Sequence, residues 1–182
     1  SLETVRAVVR MLEQRDSFFT GHSSRVAELS VKIGKKMKMS EQELKNLELG
    51  GLLHDVGMIG MNEATMTKPE SLSDDEYNRI QNHTLSSKEM LKHIIYLQPV
   101  IPNVTYHHER YDGGGYPEKL KGEEIPLGSR IIAVAEVYDA LINVRPYRNK
   151  MAQQDAINHI TEQSGKDFDP EVVKTFLEVL KD

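Results

Sequence analysis

Five of the seven histidines in this 182-residue sequence stand at the ends of helical segments or beside other ligand-type residues. His22 follows Gly21, His54 precedes Asp55, His83 lies in a polar stretch, and His107 and His108 adjoin. Imidazole combined with carboxylate suits Zn, Mn, Fe and similar divalent ions, whereas Mg or Ca sites are built mostly from oxygen. Neighbouring residues on a helix point about 100° apart, so His107 and His108 most naturally reach different ions of a multinuclear cluster. Asp55, with two carboxylate oxygens, could bridge them. The run "IIAVAEVYDALI" adds an independent argument, because its only charged residues, Glu136 and Asp139, sit three apart and so project from one face of an otherwise apolar helix. A buried carboxylate without a partner is too costly to keep. One of the pair is expected to meet the metal, and the other an Arg or backbone donors.

Each feature also has a plainer reading. An isolated His-Asp pair is usually a surface or satisfied core contact, and His93 and His159, in charged helical stretches without ligand-type neighbours, are read that way. Glu136 and Asp139 could hold Arg145 and Arg148 in a structural ion-pair network. The glycines Gly113, Gly114 and Gly115 could simply form a turn requiring positive φ. The coincidence of all these features in one chain favours the site.

Helices must position these residues. Leu2, Val5, Val8, Val9 and Leu12 share one face of a first helix, and Val26, Leu29, Ile33 and Met37 do the same within a second from His22 to Lys38. Ser40 with Glu43 reads as a capping box opening a helix that ends near His54. A second box, Ser73 with Glu76, opens a segment running through His83, and Ser129 is expected to cap the apolar run. The last helix follows Asp169-Pro170. No stretch keeps a period of two for long, so the expected fold class is all-α, a multi-helix bundle with two long functional loops, Gly57 to Leu72 and Arg110 to Leu127.

Composition narrows the function. With 38% hydrophobic and 28% charged residues the chain is globular in character, and 182 residues suffice for a single domain spanning 1–182 with a sizeable core. No apolar run approaches the roughly 20 residues needed to cross a bilayer. The absence of Cys rules out thiol chemistry and favours a reducing, cytoplasmic setting. A formal net charge of −5 argues against broad capture of nucleic acid, so an anionic ligand needs local cations.

Four motifs in order, "GLLHDVGMIG", "HHERYDGGGYP", "GEEIPLGSRIIAVAEVYDAL" and "RPYR", together with "GHSSRVA" before them and "FDP" after them, make the chain similar to the HD-GYP domain, a subclass of the HD metal-dependent phosphohydrolases. The resemblance covers about Asp16 to Asp169. It implies a helical bundle around a two- or three-metal site, often iron or manganese, that hydrolyses cyclic di-GMP. It also implies an upstream receiver or sensory domain from which the first helix could continue, and signalling partners reached through the GYP loop. By position, the metal ligands would be His22, His54, Asp55, His83, His107, His108 and Glu136, with His54 and Asp55 at the catalytic centre. Gly114, Gly115, Tyr116, Arg145 and Arg148 would lie near the dinucleotide, and Asp139 would be a supporting carboxylate.

Three departures matter. The family's Lys after the His-Asp pair is Met58 here, its metal-binding Asp is Glu136, and the Glu four residues before the first His in trinuclear members is Phe18. Two divalent transition-metal ions, Fe or Mn, are therefore expected. The leading expectation is a phosphodiesterase that hydrolyses cyclic di-GMP by a metal-bound hydroxide, with Arg145 and Arg148 on the phosphates. Met58 and Glu136 keep open a catalytically weak or inactive module that binds metal or nucleotide and signals through partner domains. A third reading is a phosphohydrolase for another cyclic dinucleotide.

Overall fold

The computed structural model describes residues 1–15, 17–60, 73–145 and 149–182. Among them the regular structure is helical, with no strand beyond an isolated bridge between Ser164 and Phe168. The α-helices are α1 (Leu2–Glu13), α2 (His22–Lys36), α3 (Glu41–Leu53), α4 (Asp74–Gln81), α5 (His83–Leu91), α6 (Ile101–Thr105), α7 (Leu127–Ile142), α8 (Gln153–Glu162) and α9 (Pro170–Leu180). Short 3-10 turns cover Ser17–Phe19, Val56–Gly60, Ile95–Val100 and Gly122–Glu124.

The most apolar helix, α7, becomes the centre of the main core: Ile131, Ile132, Val134 and Ala135 are fully buried against α2, α8 and α9, with Phe176 of α9 among their neighbours. Burying one such aliphatic side chain is worth about 1.5–3 kcal/mol before ordering entropy is charged against it. A second cluster, including Val9, Leu49, Leu52, Leu91, Leu97 and Val104, ties α1, α3 and the α5–α6 region together. Helix α2 packs on both α3 and α7, which brings the His22, His54 and Glu136 segments to one place.

Both capping boxes form, at Ser40–Glu43 and Ser73–Glu76, and His54 is the C-cap of α3. Three expectations are corrected. Helix α2 stops at Lys36 rather than Lys38, because Lys38 takes a left-handed φ of 61° and the N–H groups of Lys38 and Met39 turn back to the carbonyls of Lys35 and Gly34, a Schellman stop. The segment after Ser73 breaks at Asn82, so His83 opens a new helix. Ser129 is no cap: α7 starts after Pro126, and the buried Ser129 hydroxyl instead donates to the carbonyls of Pro102 and Asn103, fastening α7 to α6.

Candidate metal centre

Three imidazoles are aimed by one repeated device. The Nδ1 atoms of His54, His83 and His107 bond to the carbonyls of Gly51 (2.6 Å), Ile80 and Val104 (2.7 Å), each three residues upstream. These carbonyls belong to the last turns of α3, α4 and α6, where a helix leaves its acceptors unsatisfied. A proton on Nδ1 leaves Nε2 as a lone pair. All three Nε2 atoms are buried and without a hydrogen-bond partner. Buried polar atoms are almost always paired, so three converging free lone pairs form a set suited to a cation.

Asp55 stands where they converge. Its Oδ2 lies 3.1 Å from His54 Nε2 and 3.7 Å from His22 Nε2, while its Oδ1 lies 3.7 Å from His83 Nε2 and 4.0 Å from His107 Nε2. Each oxygen thus serves a different pair of rings. Two ligand groups result, His22–His54–Asp55–Glu136 and Asp55–His83–His107–His108, within each of which the ligand atoms lie no more than 4.8 Å apart. His108 Nε2 and Glu136 Oε1, one from each group, lie 3.9 Å apart. The donor set, imidazole nitrogens with two carboxylates, fits a borderline divalent transition metal better than Mg or Ca.

The electrostatics carry the same message. Burial, the largest influence on Asp55, would raise its carboxyl, yet His54, His83 and His22 together hold it well below the usual carboxylate range. His54 is pushed up to about 9, because Asp55 and Glu136 outweigh the burial that lowers it. Burial, reinforced by His108 and His54, drives His107 well below the ordinary imidazole range. His108 is lowered as well, by burial first, though Glu136 opposes it. The ionised Asp55 thus draws positive charge toward His54, while burial keeps His107 and His108 from taking up protons. A compact divalent ion supplies that charge at one point.

His22 is held differently. It is the first residue of α2, and its Nδ1 lies 2.7 Å from Asp139 Oδ2 on α7. Asp139 in turn receives Arg25 through Nε (2.6 Å) and a second guanidinium nitrogen (3.1 Å), and Asn143 through its amide (3.2 Å). Burial raises the Asp139 carboxyl, but His22 and Arg25 bring it below its ordinary value. A carboxylate behind a ligand imidazole fixes the ring and its tautomer. Arg145, only 5% exposed, places a guanidinium nitrogen 3.1 Å from the same Nδ1, which donates to Asp139 and so does not accept from it, and lies over the Phe19 ring at 4.5 Å.

The loop after His108 is pinned to its neighbours. Glu109, 4% exposed, accepts the N–H groups of Glu118 (2.6 Å) and Leu120 (3.0 Å). Arg110 pairs with Asp112 and Asp167, and Asp112 accepts the Gly114 N–H at 2.8 Å. The Tyr116 ring stacks on His108, with centroids 5.1 Å apart and planes 21° apart. Burial first, then Glu136, Tyr77 and Asp55, raises the Tyr116 hydroxyl, which keeps it a hydrogen-bond donor at neutral pH. Two glycines permit close approach. A Cβ on Gly115 would sit 2.3 Å from Arg110 N and 2.5 Å from His108 O, and one on Gly57 would sit 2.1 Å from His83 O. Gly57 thereby lets the turn carrying Asp55 touch α5, and its N–H donates to Ser87 Oγ at 2.8 Å.

The structure brings together His22, His54, Asp55, His83, His107, His108 and Glu136, while His93 and His159 lie outside both groups. Asp139 meets Arg25 and His22. Among the three central glycines only Gly113 has positive φ, at 88°, and Gly115 is buried against the backbone of His108 to Arg110. Arg148 lies outside the described residues, as does most of the first long loop, residues 61–72. Met58 occupies the turn after Asp55, with its N–H on the Asp55 carbonyl at 2.9 Å. Arg25 and Glu109 went unmarked in the sequence. Arg25 follows His22 by one helical turn inside "GHSSRVA", and Glu109 directly follows the His pair, which were the only available signals.

The chain matches the family described as HD domain over residues 6–172. It is 35% identical over 177 residues to the cyclic di-GMP phosphodiesterase response regulator RpfG of Xanthomonas campestris pv. campestris, covering 96% of this chain and 47% of that protein. It is 37% identical over 151 residues to the 3'3'-cGAMP-specific phosphodiesterase 1 of Vibrio cholerae, covering 83% of this chain and 35% of the relative. The chain thus spans less than half the length of these curated relatives. A solved structure of a cyclic GMP-AMP phosphodiesterase from V. cholerae superposes with a TM-score of 0.80 at 23% identity, over 99% of this chain and 48% of that one. The chain belongs to the HD domain family and carries the motifs of its HD-GYP branch.

Proposed function

We propose that this domain is a metal-dependent phosphodiesterase for cyclic dinucleotides, with cyclic di-GMP as substrate and two Fe or Mn ions as cofactor. The observation that carries the reading is the division of the Asp55 oxygens between two imidazole groups in which the Nε2 atoms of His54, His83 and His107 are buried without a hydrogen-bond partner. His22, His54, Asp55 and Glu136 would hold one ion, and Asp55, His83, His107 and His108 the other. Bound there, the ions would acidify a water and neutralise charge on a phosphoryl group.

The chain's own residues supply the rest. Asp55 stays ionised and fixes the spacing of the two groups, while the helix-end carbonyls keep three imidazoles in the tautomer that presents Nε2. Tyr116, protonated and stacked on His108, is a donor at the rim. Arg145 sets a permanent positive charge behind His22, which favours an anionic ligand in a protein of net charge −5. Met58 can only pack where the HD-GYP resemblance has a Lys, so turnover is expected to be slow. Similarity to relatives named for cyclic di-GMP and for 3'3'-cGAMP supports the cyclic dinucleotide class and makes the hybrid dinucleotide the second reading.

The test is anaerobic reconstitution with iron or manganese, followed by chromatography of cyclic di-GMP and 3'3'-cGAMP in parallel, with metal content measured on the same samples. Metal-dependent loss of cyclic di-GMP that vanishes in Asp55→Asn supports the proposal. Preferential loss of the hybrid dinucleotide installs the second reading. Full metal loading with neither substrate consumed overturns both and leaves a binding module.

A further inference from the structure

Helix α2 begins at His22 behind Gly21, an N-cap with a left-handed φ of 76° and no side chain to accept the first free N–H groups. A helix start without a capping acceptor leaves orphan donors. Here the acceptor comes from α1. Glu13 takes the Gly21 N–H on Oε2 at 2.9 Å and the Ser23 N–H on Oε1 at 2.7 Å, so its carboxylate brackets His22 from both sides. One remote carboxylate thus replaces both halves of a capping box, and its charge suits the positive end of the helix. Helices α3 and α4 differ, because their boxes are made by their own Glu43 and Glu76. Helix α1 buries little of itself, with Val9 its one buried residue among those described, Leu2 and Val5 partly covered and Arg6 paired with Glu48 of α3, whereas α7 buries most of its length.

We propose that Glu13 is a positioning residue for His22 and makes α1 a lever on one half of the metal centre. Moving α1 withdraws the carboxylate, frees the Gly21 and Ser23 N–H groups and lets the start of α2 shift. The His22–His54–Asp55–Glu136 group then loosens, while the group built on His83, His107 and His108 does not feel it. This inference rests on the metal-centre reading proposed above.

The experiment titrates Mn²⁺ into metal-free protein, comparing the wild type, Glu13→Ala and Glu13→Gln, with thermal melting on the same samples. Glu13→Gln keeps the shape and one oxygen acceptor, so it carries the test if Glu13→Ala does not fold. The expected result is about 10-fold weaker binding of one ion in Glu13→Ala, within the range for groups behind a ligand, with the second ion unaffected. Glu13→Gln should fall between. Adding His22→Ala to Glu13→Ala should cost no more than His22→Ala alone. Unchanged affinity for both ions in folded variants, or equal loss at both, overturns the proposal. A wild type that binds no metal overturns the underlying reading instead, and is distinguishable because it needs no variant.

Discussion

His54, His83 and His107 are aimed by backbone carbonyls of their own neighbourhoods, whereas His22 is aimed by Asp139, itself held by Arg25 from another helix. The difference teaches where the centre is robust. A carbonyl in the last turn of a helix survives any side-chain substitution that leaves the helix intact, so the first three rings inherit their direction from secondary structure. His22 depends on a chain of side chains spanning more than a hundred residues of sequence. Three of the rings are set by folding itself, whereas His22 can be adjusted.

The largest effect should come from removing the residue common to both halves. Asp55→Ala is expected to weaken binding of both ions by more than the roughly 100-fold ceiling typical of groups behind a ligand, read by elemental analysis after desalting. Next comes Met58→Lys, which alters neither set of orienting contacts. Regaining a charge-assisted bond worth about 1.5–3 kcal/mol corresponds to turnover roughly 10- to 150-fold faster at unchanged metal content. An unchanged rate would remove Met58 from the account. Asp139→Ala should then separate the halves: about 10- to 100-fold weaker binding at the His22 group and little change at the other, by Mn²⁺ titration. Equal losses at both would erase the distinction between them. Glu109→Ala should disturb metal binding least. It frees two loop N–H groups from a buried carboxylate and is expected to cost about 1.5–3 kcal/mol, which at roughly 2–4 °C per kcal/mol for a chain of this size shows in a thermal melt.

Much of this was legible in the sequence because the relevant signals are local. A histidine beside a carboxylate or a second histidine needs no tertiary knowledge to be noticed, and Glu136 and Asp139 stand out as the only charges in the apolar run from Ile131 to Ile142. The capping boxes at Ser40 and Ser73 are four-residue patterns and form as read. Ser129 misled because a Ser before an apolar run is a capping signal only if the helix starts there. Pro126, with its fixed φ, set the start three residues earlier and left Ser129 inside. Arg25, Glu109 and Glu13 were not legible, since each acts through a contact that only the fold creates. Gly21 was the available clue to Glu13: a helix start with no side chain of its own must borrow an acceptor.

The account rests on two ligand groups that share Asp55, and metal stoichiometry in His22→Ala, His107→Ala and the double variant tests this most directly. The expected outcome is about two ions per wild-type chain, about one in each single variant, and none in the double variant, as two ligand groups joined through Asp55 would give. A single substitution that empties both positions, or a double variant that still holds both ions, would contradict it.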